Sequence, residues 1–303
     1  MITSLLIFNQ GFSIITMPRM FIFGFGYSAL ALAGQLRSLG WEVAGTARRP
    51  DKIADLQSLG FTVYPFSRTQ PLRVGIAALT DYSHILHSVP PDDLGDPVYD
   101  LHSCDIVNQS ANLRWFGYLS STGVYGDHAG ATVTEDTACT PTSSRAIARH
   151  AIELRWLELQ QRCGVPAHIF RLAGIYGPGR NVLRDLQAGQ ASHIVKPGHV
   201  FNRIHVEDIA QVLLTSMHKP APGRIYNVCD DLPASSDAML RFGAELLGIT
   251  PPPPVPFAEA KLSPMAQIFY ADSKIVSNAR MKQELGIRLK YPNYQEGLRA
   301  LRR

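Results

Sequence analysis

The chain has 303 residues, of which 46% are hydrophobic and 18% charged, and its formal net charge is +4. This composition is that of a globular protein with one large domain or two coupled ones, and it excludes a disordered or fibrous chain. The charges are dispersed without a Lys/Arg block, so nucleic-acid binding is not predicted, whereas the positive balance suits an anionic small molecule.

The cysteine spacing and the N-terminal residues indicate the compartment. The four cysteines have no C-x-x-C spacing, which is typical of neither a disulfide framework nor a zinc site and favours the reducing cytoplasm. No apolar run is long enough to span a bilayer, so no membrane interaction is predicted. Residues 1–17 carry no basic segment or clear cleavage site, and we expect a disordered extension there.

The first predicted element is a strand–turn–helix around a glycine motif. An apolar run over 20–23 is followed by Gly24, Gly26 and Ala29 in G-x-G-x-x-A spacing, and then by a helix to about Ser38. Such a turn cradles a dinucleotide pyrophosphate, because Gly26 and Tyr27 open a helix whose N–H groups face the anion. A glycine-rich turn without a ligand is the alternative interpretation.

The end of the second predicted strand, over 41–46, indicates the cofactor. NAD sites usually place an acidic residue there and NADP sites an arginine. This chain has Arg48 and Arg49, and no acid before Asp51, which we predict caps the next helix. The two guanidinium groups favour NADP, with NAD as the other candidate, unless they form a solvated loop pair.

The rest of the chain continues the alternation of strands and helices. Further strands are predicted over 61–66, 84–89, 115–120, 166–172 and 225–228. Further helices are predicted over 52–59, 99–112 and 143–162, from an opening segment at 201–208 to 217, from 236 onward and over 278–285, the last of the chain. This alternation predicts an α/β fold with a doubly wound parallel sheet, the Rossmann arrangement.

Ligands of such sheets bind beyond the carboxyl ends of the strands. The glycine turn, the segment around Pro90 and the Ser120–Tyr125 segment should therefore surround one crevice, with Pro90 contacting the cofactor. His84 and His87 lie three apart on a strand and point to opposite faces, so no metal site is predicted. In the long helix over 143–162 we expect a buried stripe of Ile147, Ala151, Leu154 and Leu157.

Five blocks together carry a family resemblance. They are the glycine turn, SSTGVYG at 120–126, the helix after Pro141, RLAGIYGPGR at 171–180 and NRIHVEDIA at 202–210. From about residue 20 onward the chain resembles the extended short-chain dehydrogenase/reductases, the NAD(P)-dependent sugar-nucleotide epimerase and dehydratase superfamily. Its opening motif and the SVPP at 88–91 are similar to an atypical branch of that superfamily.

The resemblance implies roles for several residues. Ser121 occupies the position of the family Ser or Thr that binds the substrate oxygen, and its neighbour Thr122 could substitute. In the family a Tyr four residues before a Lys completes the site. Aligning the family Glu on Glu153 places Arg145 and Arg149 at these two positions, so the usual Tyr-x-x-x-Lys is lacking.

Because an arginine keeps its proton, Arg145 cannot relay one as a tyrosine does. Both arginines could instead offer positive charge to a developing alkoxide or an anionic substrate. Tyr125, beside the predicted crevice, is then a candidate proton donor, although tyrosines in this block usually pack against the sheet. Arg180 either binds a substrate phosphate or carboxylate or faces solvent from its turn.

The sequence therefore predicts an NADP-preferring oxidoreductase or epimerase-like enzyme acting on a sugar nucleotide or another small carbonyl or hydroxyl compound. A non-catalytic NADP-binding sensor or interaction module of the same fold is the alternative. Residues 18–176, with 203–219 returning, should form the cofactor-binding domain. Residues 177–202 and 220–303 should form a smaller α/β substrate-side domain. The resemblance also implies a homodimer.

Overall fold

The computed structural model describes residues 17–72 and 79–302, and the predicted extension lies outside them except for Met17. A sheet of seven parallel strands forms the centre of the fold, in the order β11-β7-β5-β4-β1-β2-β3. The strands are β1 (Arg19–Phe23), β2 (Glu42–Ala47), β3 (Thr62–Pro65), β4 (His84–His87), β5 (Trp115–Ser121), β7 (Ala167–Leu172) and β11 (Ile225–Val228).

Three two-stranded pairs lie outside this sheet within the described residues. They are β6 (Thr132–Val133) with β13 (Ile275–Val276), β8 (Gly174–Tyr176) with β10 (Arg203–His205), and β9 (Ile194–Val195) with β12 (Val255–Pro256). The segment predicted to open a helix at 201–208 thus begins with strand β10, and the helix starts after it.

The α-helices follow the predicted alternation. They are α1 (Tyr27–Ser38), α2 (Pro50–Ser58), α3 (Pro97–Asn108), α4 (Ser144–Cys163), α5 (Val182–Gln187), α6 (Val206–His218), α7 (Ser236–Leu247), α8 (Pro264–Ala271), α9 (Ala279–Leu285) and α10 (Tyr294–Leu301). Helix α3 begins earlier than predicted because Asp96 caps it, accepting hydrogen bonds from the N–H groups of Val98 and Tyr99. Helix α10 follows the helix that was predicted to be the last.

The sheet is covered on both faces, as a doubly wound parallel sheet requires. On one face lie residues of α1 and α6 such as Leu32, Leu36 and Leu213, and on the other residues of α3 and α4 such as Ile106 and Trp156. The predicted fold class is confirmed. No helix of the described ranges combines the length and apolar character needed to cross a membrane.

The chain runs outward from β1 to β3 and then returns to β4 on the other side of β1. The strand order therefore reverses between β1 and β4, and a crevice opens beyond their carboxyl ends. Strand β11, in the segment predicted for the substrate side, pairs instead with β7 in the central sheet, because its backbone completes the ladder from Ile225 to Val228.

The buried face of α4 differs from the prediction. Ile147 and Leu154 are 51% and 55% exposed, and Ala151 is also exposed, whereas Leu157 is half-buried. The face that packs on the sheet carries Ala146, Ile152, Glu153 and Trp156. A charged residue thus occupies a core position, which a hydrophobic pattern cannot indicate.

Glu153 is buried because Arg171 of β7 pairs with it. Arg171 Nη2 donates to Glu153 Oε2 at 2.7 Å, Arg171 Nε donates to Oε1 at 3.2 Å, and both side chains are at most 3% exposed. Burial raises the pKa of Glu153, but the nearby His150 Nδ1, at 3.5 Å, and the hydrogen bonds from Arg171 outweigh this and leave the pKa lowered. The guanidinium also lies 4.8 Å from the centre of the Tyr125 ring.

Replacing Arg171 with methionine should lower the free energy of unfolding by about 3–5 kcal/mol, because Glu153 would remain buried without a partner. Urea unfolding followed by circular dichroism at neutral pH measures this loss. The double variant Glu153→Met/Arg171→Met should recover most of it.

The stability of the wild-type protein should also depend on pH. The contribution of the pair to the free energy of unfolding is complete above the unfolded-state pKa of Glu, about 4.3, and is lost as the pH falls through the lowered folded-state pKa. A wild-type unfolding curve for Arg171→Met would contradict this account.

Candidate functional site

The glycine turn lies at the point where the strand order reverses. Gly24 directly follows β1 with φ +86°, and a Cβ there would lie 2.9 Å from Val89 Cγ2 and 3.2 Å from Val89 N. Its own N–H donates to Thr46 Oγ1 at 2.9 Å, which ties the turn to β2. Only glycine fits this conformation and this close approach.

Gly26 directly precedes α1 at the N-cap position, and the helix N-terminus that follows is open. No side chain caps α1 and its first turn contains no acidic residue, whereas seven of the nine other helices described above are capped by a side chain. A Cβ at Gly26 would meet nothing closer than Ser88 Oγ at 3.9 Å, so the space in front of the helix is open. Unpaired N–H groups and the helix dipole fit the pyrophosphate of a dinucleotide there.

An outer pocket of about 840 Å³ extends from this turn over the ends of β2 and β3. Arg48, Arg49 and Pro90 line it, as the sequence predicts for the cofactor side, and Lys52 and Arg68 join them. Asp51 does not cap α2, because the helix begins at Pro50 after Arg49 and places Asp51 within its first turn. Asp51 instead pairs with Arg49 at 3.1 Å.

Arg68 is a residue of this pocket that the sequence patterns did not single out. Its Nε and Nη2 donate to the two carboxylate oxygens of Asp92 at 2.8 and 2.9 Å, and its Nη1 donates to Asp100 at 3.0 Å. This bidentate pair links the segment after β3 to the segment after β4, so the two walls of the outer pocket are held together.

An inner cleft of about 540 Å³ shares Gly26 and Ser88 with the outer pocket, so the two form one continuous groove. Ser121 and Thr122 line this cleft, and the Ser121 hydroxyl accepts a hydrogen bond from Gly123 N at 3.1 Å. The Ser121 proton therefore remains available for donation to a ligand oxygen.

Arg145 and Arg149 bring positive charge to the inner cleft from the first turns of α4. Arg149 Nη1 donates to the carbonyl of Leu119 at 2.8 Å, which anchors the side chain beside the end of β5. The sequence of α4 contains neither tyrosine nor lysine. Two permanent cations therefore lie at the positions that the family resemblance aligns with the tyrosine and the lysine.

Tyr125 is not in the cleft, which corrects the prediction that it borders the crevice. Its side chain is fully buried and its hydroxyl donates to Asn227 Oδ1 at 2.7 Å. Burial raises the pKa of Tyr125 to about 12. The residue packs under the sheet edge because the short helical turn Thr122–Tyr125 rotates it away from Ser121.

Arg180 lies at the inner cleft, on the turn after β8, close to the start of α1. The other wall of the cleft comes from distant segments that no motif indicated. Phe201 and Phe269 stack with ring centres 4.4 Å apart, and Lys274 Nζ donates to Gly126 O at 2.6 Å. Burial lowers the pKa of Lys274. Among the described residues, no group of three or more His, Cys, Asp or Glu side chains lies close enough to hold a metal ion.

A parallel sheet with a glycine turn, an open helix N-terminus and a groove across the strand ends defines a Rossmann-type nucleotide-binding protein. Residues 21–229 match the NAD dependent epimerase/dehydratase family, and the chain belongs to this family. The resemblance read from the five sequence blocks is confirmed.

Two relatives resemble nearly the whole chain. Protein YeeZ of Escherichia coli K12 is 29% identical over 285 residues, which cover 91% of this chain and 97% of that protein. The structure of a functionally unknown conserved protein from Silicibacter pomeroyi is 46% identical with a TM-score of 0.87, covering 94% of this chain and 98% of that one.

More distant structures share the fold. The UDP-glucose 4-epimerase of Thermotoga maritima with UDP-glucose has a TM-score of 0.75 at 16% identity, covering 94% of this chain and 97% of that one. The dTDP-glucose 4,6-dehydratase of Bacillus anthracis in complex with NAD has a TM-score of 0.74 at 16% identity, covering 94% and 95%. At this identity the likeness concerns the fold alone.

Proposed function

We propose that this protein is an NADP-preferring oxidoreductase or epimerase-like enzyme whose substrate is a small anionic carbonyl or hydroxyl compound, with sugar nucleotides the first class to test. The observation that carries the proposal is the continuous groove, which joins the open N-terminus of α1 to Ser121, Arg145 and Arg149. The sugar-nucleotide enzymes that share the fold support this substrate class.

The cofactor would bind along the outer pocket. Gly24, Gly26 and Tyr27 would hold the pyrophosphate, Pro90 would contact the adenosine half, and Arg48 and Arg49 would pair with the 2′-phosphate. Arg48 makes no ion pair with any residue of the described ranges, whereas Arg49 already shares Asp51. A bound nicotinamide supplies hydride transfer to the inner cleft.

The substrate would occupy the inner cleft between the two halves of the chain. Phe201, Phe269 and Lys274 belong to segments that we assign to the substrate side, within 177–202 and 220–303, and they face Ser121 across the cleft. Ser121, with Thr122 beside it, would donate to the substrate oxygen, and Arg145 and Arg149 would stabilise negative charge there. Because Tyr125 is buried, we assign the proton transfer to the Ser121 hydroxyl and water.

A second candidate function rests on the composition of α4. Since this helix presents arginines and contains no tyrosine or lysine, the groove could bind NADP without turnover, as a sensor or interaction module. Both functions require dinucleotide binding, and only the enzyme requires a substrate-dependent reaction.

We also propose a cytoplasmic homodimer. All four cysteines are unpaired thiols and two of them, Cys104 and Cys163, are exposed, which suits a reducing compartment. Ile147 and Leu154, seven residues apart on the outer face of α4, are exposed, and Leu101 of α3 is 37% exposed. A second copy covering these side chains would remove them from water.

Titration of protein fluorescence with NADPH and NADH tests the cofactor site. We expect tighter binding of NADPH, and Arg48→Ala should weaken NADPH binding about tenfold while leaving NADH binding unchanged, since a charge-assisted pair is worth about 1.5–3 kcal/mol. Arg241→Ala, on the exposed side of α7, serves as the control. Absence of binding of either dinucleotide to the wild-type protein would refute the proposed function.

Turnover separates the enzyme from the sensor. In a panel of sugar nucleotides and small carbonyl compounds, followed by NADPH absorbance and product analysis, Ser121→Ala should lower kcat about a hundredfold, because it removes a donor aimed at developing charge. Tyr125→Phe should keep the wild-type kcat and lower only the stability, since the Tyr125 hydroxyl donates to buried Asn227. Equal kcat values for Ser121→Ala and the wild type would exclude Ser121 from the reaction.

Analytical ultracentrifugation tests the dimer. The molar mass of the wild-type protein from sedimentation should be twice the 33.4 kDa of one chain. Leu154→Glu should sediment as a single chain, because a charge would be buried between the two copies. Leu59→Glu is the matched control, since Leu59 is equally exposed at 55% but lies after α2. If both variants behaved alike, the outer face of α4 would not be the interface.

A further inference from the structure

A hydrogen bond between Tyr27 and Pro178 joins the two halves of the chain at the groove. The hydroxyl of Tyr27, the first residue of α1, donates to the carbonyl of Pro178 at 2.9 Å, although the two residues are 151 positions apart. Burial raises the pKa of Tyr27, so the hydroxyl keeps its proton near neutral pH and remains a donor. The proposed catalysis does not use this bond.

The turn that Tyr27 contacts is rigid. It is closed by two backbone hydrogen bonds between Gly177 and Arg180, at 2.9 and 3.1 Å. Three of its carbonyls also accept a side-chain hydrogen bond: that of Gly177 from Asn181 Nδ2 at 2.9 Å, that of Pro178 from Tyr27, and that of Gly179 from Arg184 Nη1 at 2.7 Å. The backbone of Arg180 is thereby fixed.

The turn and α1 approach each other as closely as glycine permits. Gly177 has φ +155°, and a Cβ there would lie 2.6 Å from the Tyr27 hydroxyl and 2.8 Å from Val206 Cγ1. Any larger residue would separate the turn from the start of α1, so the contact depends on this glycine.

The guanidinium of Arg180 lies over the Tyr27 ring, 5.9 Å from its centre. It is exposed to the inner cleft and makes no ion pair with a carboxylate of the described residues. Gly26 and Ser28, at the uncapped start of α1, line the same cleft. A cation carried on a rigid turn therefore lines the same cleft as the open N-terminus of α1, and this cleft can hold an anion.

We propose that Arg180 binds the pyrophosphate of the dinucleotide from the side opposite α1, and that Tyr27 is the positioning residue that holds Arg180 there. The inference rests on the proposed function and deepens it, because it moves Arg180 from the substrate to the cofactor. Two adjacent phosphates match the forked donors of a guanidinium, whereas the helix N-terminus supplies only backbone N–H groups. The cofactor is thus held by both halves of the chain.

The test compares ligands with and without a pyrophosphate. NADPH, NADH and adenosine 2′-monophosphate are titrated by calorimetry into the wild-type protein, Arg180→Ala, Tyr27→Phe and the control Arg241→Ala. Arg180→Ala should weaken NADPH and NADH binding by the same factor, about tenfold, and leave adenosine 2′-monophosphate binding unchanged. Tyr27→Phe, which keeps the ring, should cost about threefold in the wild type and nothing in the Arg180→Ala background.

Each other result overturns the inference in a recognisable way. Unchanged dinucleotide binding in Arg180→Ala would show that Arg180 does not bind the cofactor. A loss confined to NADPH would mean that Arg180 recognises the 2′-phosphate, and an equal loss for adenosine 2′-monophosphate would indicate general damage to the fold. If the losses of binding free energy caused by the two substitutions were additive, Tyr27 would not act through Arg180. If the wild-type protein bound no dinucleotide, the proposed function itself would fail, and the inference with it.

Discussion

The geometry of the candidate site depends on the buried ion pair between Arg171 of β7 and Glu153 of α4. Removing two charges from water is costly, so the pair is stable only because the guanidinium bonds both carboxylate oxygens and packs against Tyr125. The pair fixes the rotation of α4 about its axis. Arg149 and Arg145 lie four and eight residues before Glu153, on the same side of the helix, and both line the cleft.

The same rotation determines what α4 presents to solvent. Once Glu153 faces the sheet, Ile147 and Leu154 face outward. The apolar residues of this helix therefore divide between the core and the outer surface. Amphipathic periodicity alone supports either rotation, and the partner that selects one of them lies 18 positions further along the chain. This is why the sequence predicted the existence of the helix correctly and its buried face wrongly.

Most of the fold could be predicted because its signals are local. Short apolar runs, glycines at positive φ and the alternation of strand and helix are all readable within a few residues, and the glycine turn at Gly24 is the clearest of them. The site is less predictable because its walls come from separate segments. Lys274 and Phe269 stand in stretches without a motif, and long-range contacts such as the pairing of β13 with β6 and the Lys274–Gly126 hydrogen bond bring that segment back to the loop after β5.

Tyr125 illustrates a different difficulty. A tyrosine after a strand end is equally compatible with a cleft and with a core, and the four-residue helical turn Thr122–Tyr125 decides between them. The hydrogen bond to Asn227 of β11 could not be foreseen, because it joins positions 102 residues apart. Sequence motifs indicated the region of the candidate site, and tertiary packing decides which side chains line the groove.

The place of β11 at the edge of the central sheet has a consequence for how the chain can be divided. Its backbone pairs with β7 from Ile169 to Leu172, so a chain ending at residue 219 would leave those N–H and C=O groups unsatisfied beside apolar side chains. Such an unprotected edge invites pairing with other chains and aggregation. We therefore expect that residues 18–219 do not fold autonomously, and that a single cut at residue 219 does not yield two modules that relatives could exchange.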